Sequence, residues 1–101
     1  LVSQLAHVGA AKVIAFDVVP APPGFATSLV RTASVRDINQ SDAETEIASI
    51  TGDVTDYESV RKATEDVDVV FHCASIIDIR PIPSSRMRRV NVGGTANVIR
   101  A

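Results

Sequence analysis

The sequence has few cysteine and aromatic residues: one cysteine, Cys73, one tyrosine, three phenylalanines and no tryptophan. A single cysteine excludes a disulfide within the chain and is typical of a reducing compartment. No apolar run approaches the roughly 20 residues that a membrane-spanning helix requires. The low cysteine count and the short apolar runs together favour an ordinary globular domain without internal cross-links.

Acidic residues are absent from 79–101, which carries five arginines, whereas residues 1–78 carry twelve acids and five bases. The net charge of the whole chain is only −2. We therefore expect neither nucleic acid nor an anionic membrane surface as a partner. The arginines are most simply interpreted as a solvated helix face and loop, and the alternative is a site for an anion such as a pyrophosphate.

Both ends of the sequence have helical patterns without a capping residue, since it begins at Leu1 and stops at Ala101. This pattern predicts that residues 1–101 are part of a larger domain.

Apolar spacing predicts alternating helices and strands along most of the chain. Gly9 is expected to end the first helix, and Thr55 with Glu58 has the form of a capping box. Residues 25–46 are left without an assignment. The expected elements are a helix at 1–8, strands at 12–19, 47–51 and 67–72, and helices from 55 and over 86–101. Such alternation predicts a parallel sheet with right-handed crossovers.

Asp17 lies near the end of a strand that is otherwise apolar. Ligands of wound α/β sheets bind beyond the carboxyl ends of the strands, where a carboxylate can accept hydrogen bonds from both hydroxyls of an adenosine ribose. The same charge repels a 2′-phosphate, which favours NAD over NADP. The alternative is that Asp17 only caps the next turn.

The other two expected strand ends carry Gly52-Asp53 and the residues 72–75. Asp53 could accept from an adenine amino group with Val54 against the ring, although an Asx turn is the simpler interpretation. Ala74 and Ser75 are small enough to let a ligand approach the backbone. His72 and Cys73 are adjacent on an expected strand, so they point to opposite faces and are interpreted as packing residues. No metal-ligand spacing is present.

Asn91 and Thr95 are one helical turn apart and flank the pair Gly93-Gly94. Each glycine inside a helix costs about 1 kcal/mol relative to alanine. A close approach of this helix to the sheet or to a ligand would offset that cost. Asn91 lies beside the apolar stripe of the helix, so we expect its amide to have a specific partner.

Together these motifs resemble the extended short-chain dehydrogenases/reductases. The resemblance rests on Asp17 and on the stretches GDVTD at 52–56, VDVVFHCAS at 67–75 and VNVGGTANVI at 90–99. The stretch CASIID followed by VNVGGT is most similar to the 3β-hydroxysteroid dehydrogenase branch, which includes sterol-4α-carboxylate dehydrogenases. The resemblance covers nearly the whole chain except the link at 25–46.

The resemblance implies hydride transfer between a secondary alcohol and NAD, with NADP less favoured. It implies the following cofactor-binding residues: Asp17 at the ribose, Asp53 and Val54 at adenine, Ala74 and Ser75 near the nicotinamide half, and Asn91 at the active site. The family's catalytic Tyr-x-x-x-Lys pair has no counterpart here, because Arg61 stands four residues after Tyr57. No catalytic residue is therefore assigned, and the chain alone is expected to be inactive.

The apolar loop 76–89 favours a flat hydrophobic alcohol as substrate, that is, a steroid- or sterol-like 3β-alcohol, and the alternative is that its apolar side chains only cover the core. The alternatives are a sugar-nucleotide epimerase or dehydratase of the same superfamily, an S-adenosylmethionine-dependent methyltransferase, and a non-catalytic NAD-binding module. The full-length parent is expected to be cytoplasmic or on the cytoplasmic face of the endoplasmic reticulum, and could be a homodimer.

The resemblance also implies that residues 1–101 are a partial NAD(P)-binding Rossmann domain of the α/β class. They would form part of a doubly wound parallel sheet whose first strand and C-terminal half are missing. The missing first strand would lie between the strands at 12–19 and 67–72. Each backbone group that loses its partner costs about 1–3 kcal/mol if buried. Net stabilities of domains are about 5–15 kcal/mol. The isolated chain is therefore expected to be unstable.

Overall fold

The computed structural model describes residues 1–25, 45–77, 79, 82 and 84–101. Most of the link at 25–46, for which the sequence predicts no element, lies outside the described residues. The chain divides into two compact units. The first comprises 1–16 and 20–51, and the second comprises 17–19 and 52–101.

The first unit contains the helix α1, Val2–His7, and most of a two-stranded sheet. The strands are β1, Lys12–Asp17, and β2, Glu46–Thr51. Their register is parallel, because the amide of Glu46 bonds to the carbonyl of Ala11 and that of Gly52 bonds to the carbonyl of Asp17. The parallel pair with its helices confirms the predicted α/β class and fits part of a Rossmann-type domain.

The end of α1 follows the sequence prediction. Gly9 has φ of +90°, a conformation that glycine adopts without the steric cost of a Cβ atom. The hydroxyl of Thr45 donates to the carbonyl of Ala10 over 2.7 Å and so joins the end of the helix to the start of β2. Lys12 and Glu46 form an exposed ion pair across the two strands, with 2.8 Å between Nζ and Oε1.

Strand β1 ends at Asp17, two residues earlier than the sequence suggested. The reason is local. The amide of Val19 donates to the Asp17 carboxylate instead of a neighbouring strand, and Pro20 has no amide to donate.

The second unit contains the helix α2, Tyr57–Ala63, and a longer helical stretch from Ser85 to Arg100. That stretch consists of α3, Ser85–Arg88, a π-helical turn, Arg89–Gly94, and α4, Thr95–Arg100. The helix predicted over 86–101 is therefore confirmed. The π-helical turn in its middle was not foreseen.

The core of the second unit lies under α2. Val60 and Ala63 are buried on its inner side, as predicted, and Val54 is buried just before it. Helix α4 packs against α2. The guanidinium of Arg100 lies 4.3 Å from the ring centroid of Tyr57, a cation–π contact between these two helices.

The N-cap of α2 is Asp56, not the predicted Thr55. The Asp56 carboxylate accepts from both the amide and the hydroxyl of Ser59. Thr55 is already engaged, because its amide and hydroxyl both donate to Asp53. The capping box was thus misplaced by one residue, and Glu58 pairs instead with Arg61 over 3.0 Å.

The third predicted strand, at 67–72, is wrong for this structure, in which no strand is assigned there. A strand requires a hydrogen-bonded neighbour, and none of the described residues supplies one. The side chains expected to be covered are exposed: Val69 by 65 %, Val70 by 48 % and Phe71 by 53 %. The apolar composition was identified correctly, but its burial was not.

Candidate cofactor site

Asp17 ends β1 in an exposed position beside the end of β2. Its carbonyl accepts from the amide of Gly52 over 2.9 Å, so the residue before Asp53 is its direct neighbour in the sheet. Its carboxylate Oδ1 accepts from the amide of Val19 over 3.0 Å. The capping bond that the sequence offered as an alternative is therefore present. Among the described residues, no hydrogen bond occupies the second oxygen, Oδ2.

Asp53 follows β2 and is also exposed. Its Oδ1 accepts from the amide and the hydroxyl of Thr55, each over 2.8 Å. These two bonds lower the pKa of Asp53, with a smaller contribution in the same direction from the charge of Arg86. The Asx turn expected as the simpler interpretation is thus formed. Asp53 is held as an anion with a fixed orientation at the same sheet end as Asp17.

Val54 has a buried side chain, 6 % exposed. Its main-chain carbonyl accepts from the side-chain amide nitrogen of Asn97 over 3.0 Å, a bond that holds α4 in place. The side chain is committed to the core of the second unit. The contact of Val54 with adenine remains a prediction.

Ala74 and Ser75 are exposed, in a segment without regular secondary structure. Small side chains on an exposed backbone are what a close approach of a ligand requires. Their neighbours His72 and Cys73 are exposed as well, so the prediction that both pack in the interior is wrong here. Both lie in the segment that has no neighbouring strand.

Asn91 has the specific partner that its position suggested. Its Oδ1 accepts from the amide of Ile76 and its Nδ2 donates to the carbonyl of Ile76, both over 2.8 Å. The side chain therefore satisfies the donor and the acceptor of one loop residue. Asn91 lies in the π-helical turn, a distortion that occurs frequently at functional sites.

Sequence reasoning missed the contact between His72 and Thr95, whose side chains lie 3.0 Å apart, Nε2 to Oγ1. The spacing of Thr95, one turn after Asn91, was a usable signal for it. The arginines Arg86, Arg88, Arg89 and Arg100 are exposed, which agrees with the solvated helix face expected for them.

All six predicted site residues belong to the second unit: Asp17, Asp53, Val54, Ala74, Ser75 and Asn91. Hydrogen bonds join Asp17 to Gly52 and Asn91 to Ile76. The adenosine half of a dinucleotide fits these acceptors, because exposed carboxylates are suited to accept from ribose hydroxyls and an adenine amino group.

Within the described residues, no cluster of histidine, cysteine and acidic side chains is arranged to hold a metal ion. None of the helices in the described part of the chain is long and apolar enough to cross a membrane.

The comparison with known families gives one match that spans residues 1–101: the 3-beta hydroxysteroid dehydrogenase/isomerase family. Such enzymes generally depend on NAD(P). No solved structure matches the chain. Because the family match covers every residue and agrees with the motifs at both strand ends and in the last helix, the chain belongs to the 3-beta hydroxysteroid dehydrogenase/isomerase family.

Proposed function

We propose that the intact protein is an NAD-dependent oxidoreductase that acts on the CH–OH group of a steroid- or sterol-like 3β-alcohol. The observation that carries the proposal is the exposed carboxylate of Asp17 at the end of β1, directly beside the end of β2. In wound α/β domains this is the position of the acid that binds the adenosine ribose. The family match supports the reaction class.

The adenosine half of NAD would be held by the two strand ends. Asp17 would accept from the ribose hydroxyls through the oxygen that does not cap Val19. Asp53 would accept from the adenine amino group, with its orientation fixed by Thr55. The main chain of Val54 would lie next to the ring while its side chain stays in the core.

The charges at these strand ends favour NAD over NADP. Asp17 and Asp53 are both exposed acids. Asp17 is followed by Val18, Val19 and Pro20, none of which can neutralise a 2′-phosphate. An additional phosphate dianion close to Asp17 would therefore be repelled.

Bound NAD supplies the hydride acceptor for the alcohol carbon, whose hydroxyl group loses a proton in the same oxidation. The chain described here contributes binding and orientation. Ala74 and Ser75 would let the nicotinamide half lie close to the main chain, and Asn91 holds the next residue, Ile76, by two hydrogen bonds.

The apolar character of the loop supports a hydrophobic substrate. Three of its four described isoleucines are almost fully exposed: Ile77 by 89 %, Ile79 by 97 % and Ile82 by 81 %. Covering such side chains with an apolar ligand gains about 25 cal/mol for each Å² removed from water. A sugar nucleotide would gain little from them, so the sterol-like alcohol is preferred over the epimerase alternative.

The test is to compare NAD affinity in the intact wild-type protein with that in Asp17→Ala and Asp17→Asn, by isothermal titration calorimetry. Loss of hydrogen bonds to a charged group costs about 1.5–3 kcal/mol, so Asp17→Ala should weaken binding about ten- to a hundredfold. Asp17→Asn keeps an oxygen that can accept from the amide of Val19 but lacks the charge. It therefore distinguishes the effect of losing this turn-capping bond from the effect of losing the charge that binds the ribose. Glu65→Ala, another exposed acid, serves as the control.

Unchanged NAD affinity in Asp17→Ala would overturn the cofactor assignment. The substrate class needs its own measurement, in which the intact protein is given NAD with a 3β-hydroxysteroid, a sterol or a UDP-sugar. NADH formation with the steroid or sterol supports the proposal. Turnover of the UDP-sugar alone would instead favour the epimerase or dehydratase.

A further inference from the structure

The segment from His72 to Ile76 is attached to the last helical stretch at both of its ends. At its start, His72 Nε2 lies 3.0 Å from the hydroxyl of Thr95. At its end, the amide and carbonyl of Ile76 bond to the Asn91 side chain. We call these four residues, His72, Ile76, Asn91 and Thr95, the loop clamp.

The direction of the hydrogen bonds in the loop clamp follows from proton counting. Thr95 has one hydroxyl proton, which it donates to the carbonyl of Asn91 over 2.6 Å. Its oxygen can therefore only accept from His72, so Nε2 of His72 must carry a proton. The bond requires either the Nε2–H tautomer or the doubly protonated ring, and the Nδ1–H tautomer would break it.

The three residues inside the loop clamp have little else to fix them. Cys73, Ala74 and Ser75 are exposed and lie in no helix or strand. Val70 and Phe71, which precede the clamp, are exposed too. Packing therefore restrains this segment weakly, and the side-chain bonds at its two ends decide the path of its backbone.

We propose that Thr95 and His72 are positioning residues, which together with Asn91 hold Ala74 and Ser75 at the nicotinamide half of the cofactor. The proposal rests on the proposed function, in which Ala74 and Ser75 lie beside that half. Neither Thr95 nor His72 needs to touch the reacting atoms. Their effect is on orientation, and so on the rate of hydride transfer more than on the affinity for NAD.

Two pairs of variants of the intact protein test the loop clamp. Thr95→Val removes the hydroxyl while it keeps the branched shape, and Thr95→Ser restores the hydroxyl. His72→Phe removes the donor, and His72→Gln offers an amide N–H in its place. Small displacements of a reacting group are costly, so Thr95→Val and His72→Phe should each lower kcat about tenfold. Their KM for NAD should stay within about twofold, and the Ser and Gln variants should recover most of the rate.

Because the two removed groups share one bond, the double variant Thr95→Val/His72→Phe should be no slower than the worse single variant. Fully additive losses would overturn the proposal, as would a Thr95→Val enzyme with wild-type kcat. An equal loss of rate in Thr95→Ser and Thr95→Val would also overturn it.

Two measurements without cofactor keep the loop clamp testable even if the proposed function fails. The ¹⁵N chemical shifts of the His72 ring should show a proton on Nε2, and a Nδ1–H tautomer would overturn the clamp. Amide exchange at Ile76 should be faster in Thr95→Val than in wild type, and equal rates would count against it. Absence of any NAD-dependent turnover, with both of these results as expected, would refute the function and leave the clamp standing.

Discussion

Gly94 lies so close to Val54 that a Cβ atom at position 94 would be 2.7 Å from Cγ1 of the valine. This explains a glycine inside a helix, where it costs about 1 kcal/mol relative to alanine. The missing side chain allows the end of the π-helical turn to touch the core of the second unit. For Gly93, the preceding residue, no described atom beyond its chain neighbours and its own helix backbone lies within 4 Å of the ideal Cβ position.

The two glycines give a matched pair of substitutions. Gly94→Ala forces a methyl group into Val54 and should destabilise the intact protein by about 1–3 kcal/mol. Gly93→Ala meets open space and should gain up to about 1 kcal/mol from helix propensity. Urea denaturation of both variants measures the difference. Equal stabilities would show that the contact between Gly94 and Val54 does not form.

Asn97 provides a second, independent link to the same residue, because its Nδ2 donates to the carbonyl of Val54 over 3.0 Å. Removal of the donor in Asn97→Ala should cost about 0.5–1.5 kcal/mol, the usual net value of such a bond. Asn97→Asp has the same shape but places an acceptor against an acceptor, so it should be less stable than Asn97→Ala at pH 7. Thermal denaturation of the three proteins gives the order, and an Asp variant as stable as wild type would contradict it.

The elements that the sequence predicted well are those whose partners are close in the chain. The first helix with Gly9, the buried side of α2 and the long helix from Ser85 all follow from local spacing. Strand β2 was placed to within one residue. The partner of Asn91 was expected, but its identity, Ile76, depends on the path of the loop and could not be read from spacing.

The failures have physical causes of two kinds. The segment 67–72 has the composition of a strand that is covered on both faces. Such a segment forms a strand only when a neighbouring strand pairs with it, and the described residues contain no such neighbouring strand. The N-cap of α2 was misplaced because two adjacent residues, Thr55 and Asp56, can both cap. Which of them caps the helix depends on Asp53. Asp53 accepts from Thr55, so that Asp56 is the residue that caps the N-terminus of α2.

The cap of α2 makes a pH-dependent contribution to stability. The hydrogen bond from the Ser59 hydroxyl lowers the pKa of Asp56 below its ordinary value of 3.8. A carboxyl group whose pKa is lower in the folded state stabilises the fold above its unfolded pKa, and that stabilisation is lost as the pH falls through the folded pKa. Below pH 3.8, the stability of Asp56→Asn should therefore fall less steeply with decreasing pH than that of wild type. Melting temperatures of the intact protein at a series of acidic pH values measure this slope.

Asp56→Ala and Asp56→Ser serve as controls for the cap itself. Serine can still accept from the amide of Ser59, whereas alanine cannot, so only the alanine variant should melt at a clearly lower temperature at pH 7. If wild type and Asp56→Asn lost stability in parallel on acidification, the titration of Asp56 would not be the cause.

The exposed apolar side chains predict how residues 1–101 behave when they are expressed alone. Within the described residues, the first unit buries one apolar residue, Val13, and the second buries three, namely Val54, Val60 and Ala63. No large side chain described here is fully buried, and Phe71 is 53 % exposed. Cores this small do not offset the conformational entropy lost on folding, which is about 1–2 kcal/mol for the backbone of each residue.

The 101-residue chain should therefore show no cooperative thermal transition by circular dichroism, and it should bind the dye ANS, which reports accessible apolar surface. Phe71→Ser should reduce the dye signal, because it removes one large exposed apolar group. Ser49→Ala, at an exposed position in β2, should leave the signal unchanged and serves as the control. A single cooperative melt at about 50 °C, ordinary for a mesophilic domain, would contradict this prediction. It would show that the core is larger than the four buried apolar residues.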